Sequence, residues 1–444
     1  MELSEIKSLL KKGGVVGAGG AGFPSYAKLD KKADTIVLNC AECEPLLRLH
    51  RQVLERNAFE ILTALRAVGK AVGADNLVVG IKASYTAALD ALDAQKDSFP
   101  DIKISKMQSF YPTGDEIVLI YETTGRVVKP GEIPISVGVT VYNVETMLGI
   151  YNVLKNNKPV TEKYVTVTGE VKNPITIKVP VGITLKALVE AAGGATVKEP
   201  AYINGGPMMG SLASPYDVVT KTTNAVLVLP RNHHVINKKT ANISIDLKRA
   251  MGACCQCKMC TDLCPRHLLG HPINPSEFMR SASSGSVQDT APLLDTMFCS
   301  QCGVCEMYAC SQNLSPRTLI GAYKAGLRKE GVKPPKREPA PVPESRKYRR
   351  VPTYRLVTRL GLGKYDLPAP YEDIKIKADK VKIMLSQHIG APAVPCVKEG
   401  DTVKKGQCIA AVSEENLGAN IHSSINGKVD VINDKFIIIV REGD

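Results

Sequence analysis

Two runs of cysteine constrain this chain more than any other feature. The first reads Cys254, Cys257, Cys260, Cys264, Pro265, an unbroken C-x2-C-x2-C-x3-C-P. The second reads Cys299, Cys302, Cys305 and Cys310. Three thiolates within seven residues can cap three corners of one cubane, and the fourth reaches across to a neighbour. Thirteen cysteines in all, in a long chain without the apolar core of a secretion signal at its start (MELSEIKSLLKK), read as thiols kept reduced for metal work in the cytosol rather than as disulfides.

Zinc is the alternative metal, since CxxC pairs also build zinc sites. Zinc ribbons, however, set two such pairs apart, whereas here four cysteines are packed close together, twice. Consecutive C-x2-C-x2-C closes poorly on one small ion and suits an iron–sulfur cubane. By the rule of two-cluster ferredoxins, Cys254, Cys257 and Cys260 hold one 4Fe–4S cluster with Cys310. Cys299, Cys302 and Cys305 hold the other with Cys264. The second run departs from type, with four residues between Cys305 and Cys310 and no proline after it. Cys255 reads as a bystander, and Cys396 and Cys408 as packed thiols near the C-terminus. Such clusters move electrons one at a time.

A chain of 444 residues is too long for one core, and its length suggests about three domains. No apolar stretch reaches the roughly 18 residues of a membrane span. The net charge of +13 is concentrated: between Lys333 and Arg359 nine Lys or Arg face two Glu, among six prolines. That segment reads as a solvated linker, with docking to an acidic partner as the other reading. No recognition-helix or RNA-binding signature accompanies it, so nucleic acid is not an expected partner.

The texture of the sequence divides the chain. Residues 1–160 alternate short β-branched strands (TIVLN, NLVVGI) with helical stretches (about 53–72, then SYTAALDALDAQ), implying a mainly parallel α/β sheet. Residues 161–235 carry a period-two hairpin with an Asn-Pro turn (YVTVTGEVKNPITIKVP), then LKALVEAAGG and YINGGPMMG, a β-grasp-like module. Residues 240–330 hold the cysteines among helices. Residues 331–378 are the basic Pro-rich linker, and 379–444 return to short strands with Gly-Asp and Asn-Gly turns, a compact sandwich.

A Gly-rich turn precedes the first strand. Gly17, Gly19 and Gly20, with Gly22, let a backbone approach a planar or phosphorylated ligand, although a plain tight turn would need the same residues. The following NCAECEP places Glu42 and Glu44 at the C-terminal end of a parallel strand, the edge where α/β sheets bind cofactors. Clusters carry single electrons, so a soluble enzyme feeding them needs a splitter of two-electron donors, which a flavin supplies.

GAGGAGFPSYAK, NCAECEP, YPTGDE and YNVET resemble, in order, the FMN- and NADH-binding motifs of the flavoprotein subunit of respiratory complex I, and those of the C subunit of the Rnf electron-transport complex. With NGGPMMG, CCQCKMCTDLCPRHLLGH, ACSQNLSPR and the terminal HIGAPAVPCVKEGD, the chain resembles, end to end, the cobalamin reductases of propanediol-utilisation microcompartments. The resemblance implies a complex I flavoprotein-like FMN domain, an SLBB-like β-grasp module, a helical two-cluster domain and a C-terminal barrel-sandwich hybrid. It implies FMN against Gly17, Gly19 and Gly20. Lys28, Asn39, Glu42, Tyr111, Gly114, Glu116 and Asn143 would contact the flavin or shape the nicotinamide pocket. Asp115 is the first acid of the GEE-like motif. The complex I flavoprotein has an acid where this chain has Ala41, and Arg where it has Ala18.

The implied activity is an NADH-dependent reductase passing electrons through FMN and two clusters to cobalamin. Its implied partners are cobalamin, a cobalamin adenosyltransferase or a microcompartment shell protein, inside a bacterial microcompartment. Two alternatives are an Rnf-like electron-transfer protein serving a protein acceptor, and a related reductase with another acceptor. The terminal sandwich has no lysine at the tip of its SEENLGANIHSS hairpin, which argues against a swinging arm. His388 and His422 read as packing residues rather than cobalt ligands.

Overall fold

The structure, a computed structural model, describes residues 1–240, 242–285 and 288–442. Four parallel strands build the first unit, in the spatial order Ile102–Met107, Asn76–Lys82, Thr35–Cys40, Val139–Asn143. Ile36, Val37 and Leu38 are all fully buried, as expected of a central strand covered on both faces. Ile36 and Leu38 pack against the helices Leu3–Lys12, Ala58–Val72 and Val144–Asn156. Val37 packs on the opposite face against the helix Glu116–Thr124.

The single helix expected over 53–72 is two, Leu49–Arg56 and Ala58–Val72. They break at Asn57, whose backbone is non-helical (φ −135°, ψ 35°) and whose side chain donates to the Val53 carbonyl at 2.8 Å. A short amide that competes for backbone partners is a natural break point.

The β-grasp module pairs Glu162–Gly169 antiparallel with Ile175–Pro180, the hairpin read from the sequence, and parallel with Ala225–Pro230. The helix Leu185–Ala191 packs behind them. The terminal sandwich sets a four-stranded sheet (Lys380–Met384, Phe436–Val440, Gly427–Ile432, Thr402–Val403) against a three-stranded one (Val394–Pro395, Cys408–Ala411, Ile421–His422). Its core is continuous with that of the β-grasp module: Val165 and Ile177 share one cluster with Val381 and Ile439. Among the described residues, no helix is long and apolar enough to cross a membrane.

Residues 331–378 differ from the solvated linker expected there. Val351–Pro352 pairs with Phe110–Tyr111, and Tyr371–Glu372 adds a strand beside Thr176–Ile177. Arg346 is buried and meets Glu122 at 2.6 Å, and Arg350 meets the same carboxylate at 3.1 Å. Part of the basic surplus is thus consumed inside the molecule, as a strap across the first two units. Removing one partner from a buried charged network costs about 1–3 kcal/mol. Glu122→Gln should therefore lower the first thermal transition by several degrees, and limited trypsin digestion should cut within 331–378 faster than in the parent protein.

Candidate redox site

The parallel register places Asn39 beside Asn143 at the C-terminal edge of the first sheet, where the Gly-rich loop folds over both strand ends. The loop closes on itself through a bridge between Val16 and Pro24 and a bond from Gly17 N–H to the Phe23 carbonyl at 2.9 Å. It is anchored by the Ala18 N–H, which donates to Thr146 Oγ1 at 2.9 Å. At 19 a Cβ would lie 2.6 Å from Asn143 Nδ2, so any side chain there would displace that amide. At 20 a Cβ would meet open space. The loop therefore presents bare backbone to solvent.

Several expected site residues converge behind this loop. The Lys28 amine donates to Glu116 Oε1 and the Val141 carbonyl, each at 2.9 Å. Asn39 Nδ2 donates to the Gly114 carbonyl at 3.0 Å, while Asn39 Oδ1 accepts from Ala41 N–H. At Gly114 a Cβ would collide with the Ala41 carbonyl, which fixes glycine there. Asp115 and Asn143 cap the helices Glu116–Thr124 and Val144–Asn156, each accepting first-turn N–H groups.

Glu42 is buried. Burial works against its ionisation, but His50 at 3.7 Å and Arg51 at 3.6 Å, with their backbone N–H groups, outweigh it and hold the carboxyl below its usual range. Burial also lowers His50. The imidazole also bonds Asn143 Nδ2 at 3.0 Å. Lys82 and Tyr85 bond the Glu42 carbonyl and fix the acidic loop from below. His50, Arg51, Lys82 and Tyr85 escaped the sequence reading. The signal was His50-Arg51 standing directly downstream of NCAECEP.

Two expected residues are engaged elsewhere. The Glu44 carboxylate accepts the N–H groups of Met208 (2.9 Å) and Met209 (2.7 Å) in the NGGPMMG turn of the β-grasp module. Gly206 lies so close to that carboxylate that any side chain would clash. Tyr111 is fully buried, and its hydroxyl donates to the Cys302 carbonyl at 2.7 Å.

The cysteines form two groups. Cys254, Cys257, Cys260 and Cys310 line one small cavity. Burial and the neighbouring Cys310, Cys254 and Cys257 push the Cys260 thiol up to about 12. Cys264 is likewise raised to about 12, by burial and by Cys299, and Cys305 is raised by burial and by Cys299, Cys302 and Cys264. Both loops repeat one backbone device: Gln256 and Lys258 in the first run, Gln301 and Gly303 in the second, all have positive φ. These turns sit at matching positions between successive cysteines. N–H groups of Gln301 and Leu314 point at the sulfurs of Cys299 (3.4 Å) and Cys310 (3.3 Å). Among the described residues, no group of three or more His, Cys, Asp or Glu is gathered around a single ion. A cubane instead takes one thiolate at each of four separate irons.

The residues fit the groups expected of them. Gly19 and Gly20 leave backbone bare for a planar ring. Glu42 Oε1, buried without a donor, is an acceptor that a ring N–H would satisfy. Crowded thiols whose charged forms are disfavoured are what a cationic iron core stabilises.

An α/β domain with a cofactor edge, joined to two four-cysteine groups, defines an iron–sulfur flavoprotein oxidoreductase. Family models agree: the Nuo51 FMN-binding domain matches residues 10–152, the SLBB domain 164–211, the 4Fe-4S dicluster domain 253–315 and the RnfC barrel sandwich hybrid domain 369–442. The chain is 40% identical to cobalamin reductase PduS of Citrobacter freundii, over 98% of this chain and 96% of that protein. It is also 40% identical to cobalamin reductase PduS of Salmonella typhimurium, over 99% and 97%. The chain belongs to the PduS cobalamin reductase family. It is 33% identical to the C component of the Na+-translocating ferredoxin:NAD+ oxidoreductase complex of Acetobacterium woodii, over 63% of this chain and 61% of that one. In fold it resembles an NAD+-reducing NiFe hydrogenase, with a TM-score of 0.50 at 20% identity, over 76% of this chain and 64% of that chain.

Two outcomes follow from the geometry. Gly19→Ala, which drives a methyl into Asn143, should cut bound flavin per chain by tenfold or more while leaving cluster absorbance intact. Glu44→Gln should leave flavin content near normal but lower thermal stability, by about 1–3 kcal/mol for the weakened pair of buried bonds, measured by calorimetry on anaerobic protein.

Proposed function

We propose that this chain is an NADH-dependent reductase that takes a hydride's electrons at the glycine-loop edge and delivers them singly to cobalamin. FMN, when bound, supplies the exchange between two-electron and one-electron chemistry. Gly17, Gly19 and Gly20 would bring backbone against it, Lys28 and Asn143 would position it, and Glu42 would accept from its ring. Asn39 and Gly114 hold the acidic loop and the Gly114–Glu116 turn at a fixed separation. No side chain here need act as a general acid or base.

Differential burial of the two cysteine groups supports this direction of flow. Cys302 and Cys305 are buried, and their neighbourhood is fastened to the first unit by the Tyr111–Cys302 bond and the Arg266–Asp115 ion pair at 2.9 Å. Cys257 is exposed, and Cys254, Cys260 and Cys310 are partly so. We read the group of Cys264, Cys299, Cys302 and Cys305 as the entry cluster and that of Cys254, Cys257, Cys260 and Cys310 as the exit. Near full-length likeness to proteins named cobalamin reductase supports cobalamin as the acceptor. The same likeness supports residence in a microcompartment, beside a cobalamin adenosyltransferase or a shell protein.

The test is anaerobic turnover with NADH and cob(III)alamin. The parent protein should reduce cobalamin. Cys257→Ala should keep flavin and NADH-dependent dye reduction but lose cobalamin reduction by tenfold or more. Parent-like cobalamin reduction by that variant would show that electrons leave before the exposed group.

A further inference from the structure

One cavity stands apart from the residues of the flavin edge. A cleft of about 560 Å3 opens where the first unit, the β-grasp module and the terminal sandwich meet. It lies behind the Gly-rich loop: Val16 and Ala18 border it, but Gly17, Gly19, Gly20, Lys28, Asn39, Glu42, Asn143 and the Gly114–Glu116 turn do not. Five lysines line it, Lys158, Lys163, Lys178, Lys221 and Lys405, against two acids, Glu145 and Glu162.

The acids are already engaged. Glu145 is paired with the buried Lys163, and Glu162 is shared between Lys178 (3.1 Å) and Lys405 (2.8 Å). Lys221 is the telling residue. It is 2% exposed, and its amine donates to the Gly14 carbonyl at 2.7 Å and the Asn420 carbonyl at 2.8 Å. Among the described residues it has no carboxylate partner. An ammonium has three protons to donate, of which these carbonyls take two, and the residue lines the cleft. Burial draws the Lys221 amine down to about 7, the position of a cation lacking its counter-ion. Val15, Val16, Leu148 and Val160 supply apolar surface in the same cleft. The volume lies within the range of small-molecule sites.

We propose that this three-domain cleft binds a nucleoside phosphate, its phosphates neutralising Lys221 and the rim lysines Lys178 and Lys405, and its flat body resting on the valine and leucine wall. An occupant here would touch all three units at once and back directly onto the loop that carries the flavin edge.

The experiment is titration calorimetry of ADP, and separately of inorganic pyrophosphate, into flavin- and cluster-loaded protein in chloride buffer without phosphate. ADP should bind more tightly than pyrophosphate. Lys221→Met and the rim variant Lys405→Glu should each weaken ADP at least tenfold. Lys405→Glu lies on the solvent side and keeps the test sharp should Lys221→Met fold poorly. Absence of binding by either ligand, or pyrophosphate as tight as ADP, would overturn the proposal. So would ADP binding that NADH displaces and both variants leave unchanged, which would place the nucleotide at the flavin edge. NADH-dependent dye reduction in the same samples reports on the redox reading separately, since none of these lysines belongs to it.

Discussion

The architecture depends on two clusters of cysteine, in which burial makes poor anions of Cys260, Cys264, Cys302 and Cys305. Eight cysteines are brought into two groups, and each group borrows its fourth member from the opposite run: Cys310 lies with Cys254, Cys257 and Cys260, and Cys264 with Cys299. As free thiols they are crowded, and Cys302 and Cys305 are also buried. With iron they would become the staples of a helical unit whose own core is small, a few side chains such as Phe278, Met279 and Ile320. Metal binding and folding are one free energy in such a unit. On the proposed crossed pairing, neither cluster would form without ordering both loops.

That unit is also wired into its neighbours by polar contacts that carry position rather than chemistry. Tyr111 reaches the Cys302 carbonyl, Arg266 reaches Asp115, and the Lys238 amine reaches the carbonyls of Asn313 (2.6 Å) and Leu314 (3.1 Å). Glu44 does the same between the first unit and the β-grasp turn. These bonds hold the group that contains the buried Cys302 and Cys305 against the first unit and leave the group of the exposed Cys257 toward solvent, the difference on which the proposed order of electron carriers rests.

What the sequence disclosed, it disclosed where chemistry demands local spacing. The cysteine runs, the glycines of the loop and the Asn-Pro hairpin are short-range patterns, and the structure places them as their spacing implies. What it concealed depends on partners far along the chain. Glu44 looked like a cofactor acid because it ends a parallel strand, yet its partners, the N–H groups of Met208 and Met209, lie more than 160 positions away. Arg346 and Arg350 looked like linker charge until Glu122 came into contact with both. The break at Asn57 was masked by apolar periodicity continuing on either side of it. His50 and Arg51 carry no motif of their own and acquire meaning only beside the Glu42 carboxylate.

The account stands on iron–sulfur clusters in series with a flavin. The most direct measurement is EPR of anaerobically purified protein during stepwise reduction by NADH, with iron, sulfide, zinc and flavin assayed on the same sample. Flavin together with two distinct 4Fe–4S signals, both developing under NADH, is the predicted result. Protein that carries zinc in place of iron, or clusters that NADH leaves oxidised in flavin-loaded protein, would contradict it.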